Sequence, residues 1–275
     1  MFTKQENTEF LLKSLVLLTQ ITITLLTIPL IYELYRGSSV VNIYLFIEKG
    51  WSYESISILE IVFCVILLLS LTGVWLHIRI SGMVISVIII TVAVVNYLNG
   101  GKLHHDIKLI SSIIRGVFPV IFWWVLPLVQ YKPYSDEMKY KAVDLLMIKR
   151  FALVSTSLIF LTHGFLCLKG YPLFLDYLIG SIATVLGIYI EQSSAEFMVV
   201  TIGIIDILGG ILLWITQDKR LLYWLFIWAV LTTSIRVLEG GFGNWQEAFI
   251  RTPHITLPLV LILIHIQGQY RSVQT

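Results

Sequence analysis

Several ionisable side chains stand alone inside long apolar runs of this sequence, where their types could do chemistry. In the second half of the chain they are His163, Asp206, Glu239, Arg251 and His254. Placing a carboxylate or an arginine at membrane depth is costly unless it is paired, so such residues commonly serve a functional site. An imidazole can donate a hydrogen bond to a carbonyl oxygen, and a carboxylate can accept a proton. We therefore predict that these five residues form a polar binding site for a small molecule.

Two further ionisable residues, Glu60 and Arg115, occupy similar positions in the first half. We predict that Glu60 and Arg115 form a structural ion pair, as Asp206 and Arg251 would in the second half, because pairing offsets the cost of burying each charge. Glu239 is a rival partner for Arg251. Two interpretations of these pairs stay open at this point: they fix the ends of a helix bundle, or they form a proton or anion site.

The pattern of polar residues occurs twice along the chain, which indicates an internal duplication. Each half has an acid inside an apolar stretch, a glycine pair after a later apolar run, and a lone arginine near the start of the next. The matching segments are Ile58-Leu59-Glu60-Ile61 with Ile204-Ile205-Asp206-Ile207, Tyr97-Leu98-Asn99-Gly100-Gly101 with Val237-Leu238-Glu239-Gly240-Gly241, and Arg115 with Arg251. We predict two parallel four-helix repeats, 1–131 and 151–275, joined by a cytoplasmic linker, 132–150.

Composition places the chain in the membrane class. Hydrophobic residues make up 57% of its 275 residues and charged residues only 13%, and apolar runs of roughly 18–22 residues are long enough to cross hydrocarbon. The net charge of +2 comes from basic residues at the ends of apolar runs, with no basic face, so nucleic acid is not an expected partner. No motif typical of a hydrolase or a nucleotide-binding protein occurs.

The apolar runs predict an all-α polytopic protein with about eight transmembrane helices. These helices are expected near 14–34, 56–76, 80–98, 112–130, 151–169, 197–216, 221–238 and 252–268. The apolar segment 177–190 is short for a span and suits a re-entrant or interfacial helix. If it does cross the membrane, the protein has nine transmembrane helices. The distribution of Lys and Arg favours both termini in the cytoplasm of a bacterium, with the protein in the inner (plasma) membrane. The polar residues then lie toward the outer face.

The two histidines, His163 and His254, allow three roles. They can hydrogen-bond within the bundle, contact a quinone or another small ligand, or ligate a b-type haem, which is the least favoured of the three. No metal site is predicted. The two cysteines, Cys64 and Cys167, lie in apolar runs without a CxxC spacing, and we expect them to be buried small hydrophobes.

The second half resembles the DoxX-like family of membrane proteins. The resemblance is carried by Lys149-Arg150 before a helix with His163-Gly164 and Lys169-Gly170, by Asp176-Tyr177-Leu178, and by Asp206-Ile207-Leu208-Gly209-Gly210-Ile211-Leu212-Leu213. The first half is similar through Tyr44-Leu45 and Glu60, but Phe63-Cys64 stand where the family has glycines. The resemblance implies a four-helix unit, here in tandem, and a redox-associated role. Some relatives look like subunits that help to pass electrons to quinone, and others look like assembly factors.

The sequence favours an accessory or redox-associated membrane protein that binds a quinone or a similar small lipophilic ligand and works with a membrane or periplasmic protein partner. A non-enzymatic scaffold and, less favoured, a small-solute transporter are the alternatives. Whether the protein is an enzyme stays open. We predict the larger polar cavity in the second half, between its first, second and fourth long helices. In the first half, Phe63 and Phe118 should fill the corresponding space.

Overall fold

The chain folds into a bundle of long helices. The computed structural model describes residues 4–100, 105–130, 137–240 and 245–272, and this part of the chain contains no strand. The helices are α1 (Lys4–Tyr35), α2 (Val40–Ile43), α3 (Tyr53–Trp75), α4 (Ile80–Asn99), α5 (His105–Val117), α6 (Val120–Gln130), α7 (Glu137–Leu168), α8 (Pro172–Leu186), α9 (Gln192–Thr216), α10 (Lys219–Gly240), α11 (Trp245–Phe249) and α12 (Thr252–Ser272). A single π-helical stretch, Tyr44–Glu48, follows α2.

Eight segments of the described residues are long and apolar enough to cross a membrane, as the sequence predicted. They are Glu9–Tyr35, Tyr53–Trp75, Ile80–Asn99, Asp106–Val129, Leu145–Leu168, Gln192–Thr216, Lys219–Glu239 and Trp245–Ile266. The prediction of an all-α polytopic membrane protein is therefore confirmed. Many large apolar side chains on these helices face outward, which suits a surface covered by lipid.

The structure differs from the predicted helix limits at three places. The fourth span is broken between α5 and α6 at Pro119, which cannot donate a backbone hydrogen bond. The segment from 137 to 150, expected in the linker, is the beginning of α7, while residues 132–136 lie outside the described part. The short apolar helix begins at Pro172, not near 177, because proline suits the first helical position, and Gly187 ends it with a φ of +66°.

Helices α7 and α9 approach each other closely through glycines. The buried face of α9 carries Ala195, Val199, Gly203, Asp206, Gly209, Gly210 and Leu213, which recur every three or four residues. A Cβ atom added to Gly164 would lie 2.6 Å from the carbonyl oxygen of Gly203, and one added to Gly210 would lie 2.9 Å from that of Ser157. Small residues let helix backbones pack closely in lipid. This contact holds Asp206 against α7.

The two halves of the bundle pack directly against each other. Helix α12 packs against α1 and α7, and α5 and α6 pack against α7. The hydroxyls of Thr22 on α1 and Thr256 on α12 are hydrogen-bonded at 2.9 Å. The main apolar core runs through both halves, and it includes Phe118, which is fully buried, and Phe63 at its edge. Phe118 and Phe63 therefore serve as packing residues, as the sequence predicted.

The order of helices is the same in the two halves. Each runs as a long helix, a short helix, two long helices and a helix broken into two pieces. We expect a rotation about an axis along the membrane normal to superpose Glu60 on Asp206, Asn99 on Glu239 and Arg115 on Arg251. Superposition of the halves of an experimental structure in lipid would test this, and a failure of these pairs to overlay would exclude the duplication. Gly101 and Gly241 of the repeated pattern lie outside the described residues.

Substituting Gly203 by alanine should destabilise the bundle. The added methyl would lie 2.8 Å from Cys167 Cβ and 2.9 Å from the Gly164 carbonyl oxygen, which belongs to a helix backbone that cannot give way cheaply. We expect a loss of about 1–3 kcal/mol in the free energy of unfolding. In Gly209→Ala, the matched control, the methyl meets only the ends of Leu225 and Trp224. Thermal unfolding in detergent should show a clearly lower midpoint for Gly203→Ala than for Gly209→Ala.

Candidate functional site: a charged cavity between the halves

A cavity of about 280 Å³ lies between the two halves of the bundle. Its apolar lining includes Leu26 and Leu30 of α1 and Ile89 and Val92 of α4. Its charged lining consists of Glu33, Lys108, Arg115, Arg236, Glu247 and Arg251, with His163 beside them. The expectation that the larger polar cavity belongs to the second half alone is therefore wrong. The space forms where α1, α4 and α5 face α7, α8, α10 and α11, so both halves supply its walls.

His163 is held at the edge of this cavity by Asp206. The Nδ1 atom of His163 lies 2.8 Å from Oδ2 of Asp206, and the indole Nε1–H of Trp228 donates to Oδ1 of Asp206 at 2.6 Å. Asp206 is completely buried. The prediction that Asp206 has His163 or Arg251 within reach is thus confirmed for His163. In the neutral imidazole tautomer whose Nδ1–H donates to the Asp206 carboxylate, the other ring nitrogen, Nε2, is a hydrogen-bond acceptor.

Three arginines from different helices line the cavity: Arg115 of α5, Arg236 of α10, and Arg251 between α11 and α12. Arg236 is buried, and its guanidinium carbon lies 4.5 Å from the ring centre of Tyr177 and 5.7 Å from that of Phe174, both on α8. The sequence-based search missed Arg236, although it is also a lone cation in an apolar run. It was overlooked because it has no counterpart in the repeated pattern.

A much smaller cavity, about 10 Å³, lies inside the second half, between α7, α9, α10 and α12. This is where the larger cavity was expected, and it has room for about one water molecule. His163, Asp206, Arg251 and His254 line it. Both ring nitrogens of His254 are buried and have no hydrogen-bond partner among the described residues. Four of the five predicted second-half residues are therefore brought together around the two cavities.

Glu239 is the predicted site residue that stands apart. It does not line the large cavity and packs instead against Gly180 of α8. Arg236, three residues earlier on α10, lines the large cavity. Glu239 therefore contributes to the packing of α8 on α10.

The predicted ion pair between Glu60 and Arg115 is absent from the ion pairs of the described residues. Glu60 accepts hydrogen bonds from the Ser39 hydroxyl at 2.5 Å and from the Asn42 side-chain amide at 3.1 Å. Arg115 donates to the Ser111 carbonyl oxygen and to the Ser112 hydroxyl. The structure therefore corrects this prediction: nearby neutral groups from the α2 region satisfy Glu60, which leaves Arg115 available to the cavity.

The potential ligand atoms of His163, Cys167 and Asp206 lie within 4.8 Å of one another, which makes them the described residues best placed to hold a metal ion. Cys167 is one helical turn from His163 on α7, and Asp206 faces both from α9. Both Asp206 oxygens already accept hydrogen bonds, from His163 and Trp228. We therefore interpret His163 and Asp206 as parts of a hydrogen-bonded network with Trp228, beside which Cys167 is a buried thiol.

Removing the indole donor should weaken this network. In Trp228→Phe, one oxygen of the buried Asp206 loses its hydrogen bond, which should cost about 1–3 kcal/mol of stability. Trp224→Phe is the matched control, because Trp224 stacks on Trp228 with ring centres 5.6 Å apart and is itself exposed. Thermal unfolding of both variants in detergent would measure the difference. Equal midpoints would mean that the Trp228–Asp206 bond contributes nothing measurable.

Comparison of the chain with protein-family models, with curated proteins and with solved structures finds no match in any of the three. Membership of the DoxX-like family therefore stays a prediction that depends on the residues quoted for it. The functional evidence for this protein comes from the cavity and the side chains around it.

Proposed function

We propose that this membrane protein binds a small lipophilic molecule with an oxygen-bearing head group, such as a quinone, in the cavity between its halves. The observation that carries the proposal is a cavity lined by apolar side chains together with charged ones, next to the His163–Asp206 pair. Small-molecule sites are typically apolar clefts with a few well-placed polar groups. The volume of about 280 Å³ suits a head group, with any long tail outside.

Both halves of the chain contribute apolar side chains to the cavity, and α1 and α4 of the first half contribute several of them. Leu26 and Leu30 lie one helical turn apart on α1, and Ile89 and Val92 lie nearly one turn apart on α4. A ring with little polarity buries its faces favourably against such side chains, at about 25 cal/mol for each Å² of apolar surface removed from water. The first half therefore supplies affinity for an apolar ring.

The polar side chains that line the cavity supply both hydrogen-bond donors and an acceptor for a ligand. The guanidinium groups of Arg115, Arg236 and Arg251 can donate to carbonyl oxygens of a quinone. Nε2 of His163 can accept a hydrogen bond from the hydroxyl of the reduced form, since Asp206 holds Nδ1–H. The same site can thus bind both forms of such a molecule through different groups.

Unsatisfied polar atoms favour a ligand site over a scaffold whose polar residues only fix the fold. Native proteins pair nearly all of their buried polar groups, because an unpaired one costs about 1–3 kcal/mol. Here Nε of Arg236, Nε of Arg251 and both ring nitrogens of His254 have no partner among the described residues. A DoxX-like accessory role in a bacterial inner membrane, with cytoplasmic termini and a membrane or periplasmic protein partner, belongs to the same proposal.

Replacing His163 should reduce the amount of bound quinone. We expect protein purified in mild detergent under reducing conditions to carry the reduced quinone, and His163→Leu to carry at least several-fold less, because the hydroxyl of the reduced form loses its acceptor, Nε2 of His163. Lipid extraction followed by mass spectrometry measures the content per protein. His265→Leu is the control, because His265 lies near the other end of α12 and outside the cavity.

Two results would contradict the proposal. One is wild-type protein without quinone even after reconstitution with an excess of it, and the other is equal quinone content in His163→Leu and His265→Leu. A visible absorption spectrum of the same sample would show at once whether haem is the ligand instead.

A further inference from the structure

The cavity between the halves has an excess of positive charge. Four cationic side chains line it, Lys108, Arg115, Arg236 and Arg251, against two carboxylates, Glu33 and Glu247. Counting the buried Asp206 behind His163 as a third carboxylate still leaves the cations in excess. Charges held at membrane depth are costly without a partner of opposite sign. This excess is therefore the least compensated feature of the described part of the molecule.

The pairing of these cations within the protein is weak. Only one ion pair of the described residues involves them: Nη1 of Arg236 and Oε2 of Glu247 are 4.0 Å apart, and Glu247 is about half exposed. Arg115 donates to a backbone carbonyl oxygen and a serine hydroxyl, which are neutral. Nε of Arg236 and Nε of Arg251 are buried without a hydrogen-bond partner in the described ranges. Arg236 also forms a hydrogen bond with the Tyr177 side chain, but among the described residues no carboxylate lies closer to the three guanidinium groups than the 4.0 Å of the Arg236–Glu247 pair.

We propose that this cavity contains an oxyanion site for a phosphate- or sulfate-type group, formed by Arg115, Arg236 and Arg251. The inference rests on the proposed function, because it concerns the same cavity, and it adds that the group bound by the three arginines is negatively charged. Arginine presents several donors in a planar fork that matches the oxygens of phosphate and carboxylate groups. A divalent cation would be repelled by the same side chains. The site is built from three helices, and an anion in it neutralises the positive charge that the two halves bring together.

The short helix α8 gives this site its geometry. Phe174 and Tyr177 place their rings against the Arg236 guanidinium, and Ser181 of α8 donates to the backbone carbonyl oxygen of Ile235 on α10 at 3.0 Å. These contacts fix the helix that carries Arg236 relative to α8. An arginine held on aromatic faces loses less conformational freedom when it binds an anion. The site is therefore largely preformed before the anion arrives.

The test is anion binding by the full chain in a non-ionic detergent, measured by isothermal titration calorimetry at constant ionic strength. Sodium phosphate and sodium sulfate are the free probes, and mixed micelles with phosphatidic acid or phosphatidylcholine are the lipid probes. We expect Arg236→Met to weaken binding about 10- to 100-fold, as for loss of a charged hydrogen-bond donor. Arg115→Gln, from the other half, provides a second variant in case the first does not fold. Arg79→Met is the matched control, because Arg79 is exposed and lies over the Trp123 ring, outside the cavity.

Binding of phosphate or sulfate that both cavity variants weaken, and the control does not, would identify a site for free oxyanions. A response to phosphatidic acid alone, lost in the same variants, would identify a lipid head group as the occupant. Absence of binding to every probe, or equal binding by Arg236→Met, Arg115→Gln and Arg79→Met, would overturn the inference. The quinone content of the same preparations is measured separately, so failure of the proposed function would be recognised independently of this outcome.

Discussion

The close packing of α7 against α9 determines where the polar groups of the second half can lie. Gly164, Gly203 and Gly210 let the two backbones approach so closely that added methyl groups would meet carbonyl oxygens at 2.6–2.9 Å. At that separation Asp206 is completely buried, and its oxygens reach His163 and Trp228 directly. The histidine is consequently held with one nitrogen occupied and the other available. The geometry proposed for ligand binding thus follows from glycine spacing on two helices.

Glu60 and Asp206, the two acids that the repeated sequence pattern pairs, form different hydrogen bonds in the structure. Glu60 is satisfied by Ser39 and Asn42, neutral groups from the helical turn that follows α1. Asp206 is bonded to an imidazole that lines the cavity. The first acid fixes a local fold and takes no part in the cavity, while the second transmits its charge to the cavity edge through His163. Duplication with subsequent divergence would explain this difference.

The large cavity lies at the boundary between the two halves of the chain. Neither half alone encloses the large cavity, because helices of both halves form its walls and each half contributes apolar and charged side chains. The hydrogen bond between Thr22 and Thr256, with the core shared by α1, α7 and α12, keeps these walls at a fixed distance. The shape and charge of the cavity therefore depend on how the two halves pack against each other.

The sequence by itself determined the membrane class and the eight spans, because long apolar runs are local features of the chain. It also identified His163, Asp206, Arg251 and His254 as one group, since rare ionisable residues in apolar helices have few polar partners to choose from. Only the tertiary structure decided which residues pair. Glu60 is hydrogen-bonded to Ser39 and Asn42 and does not pair with Arg115. Glu239 packs against α8, and Arg236 lines the cavity. These outcomes depend on the rotation of each helix and on how the halves pack, and a one-dimensional pattern of hydrophobicity contains neither.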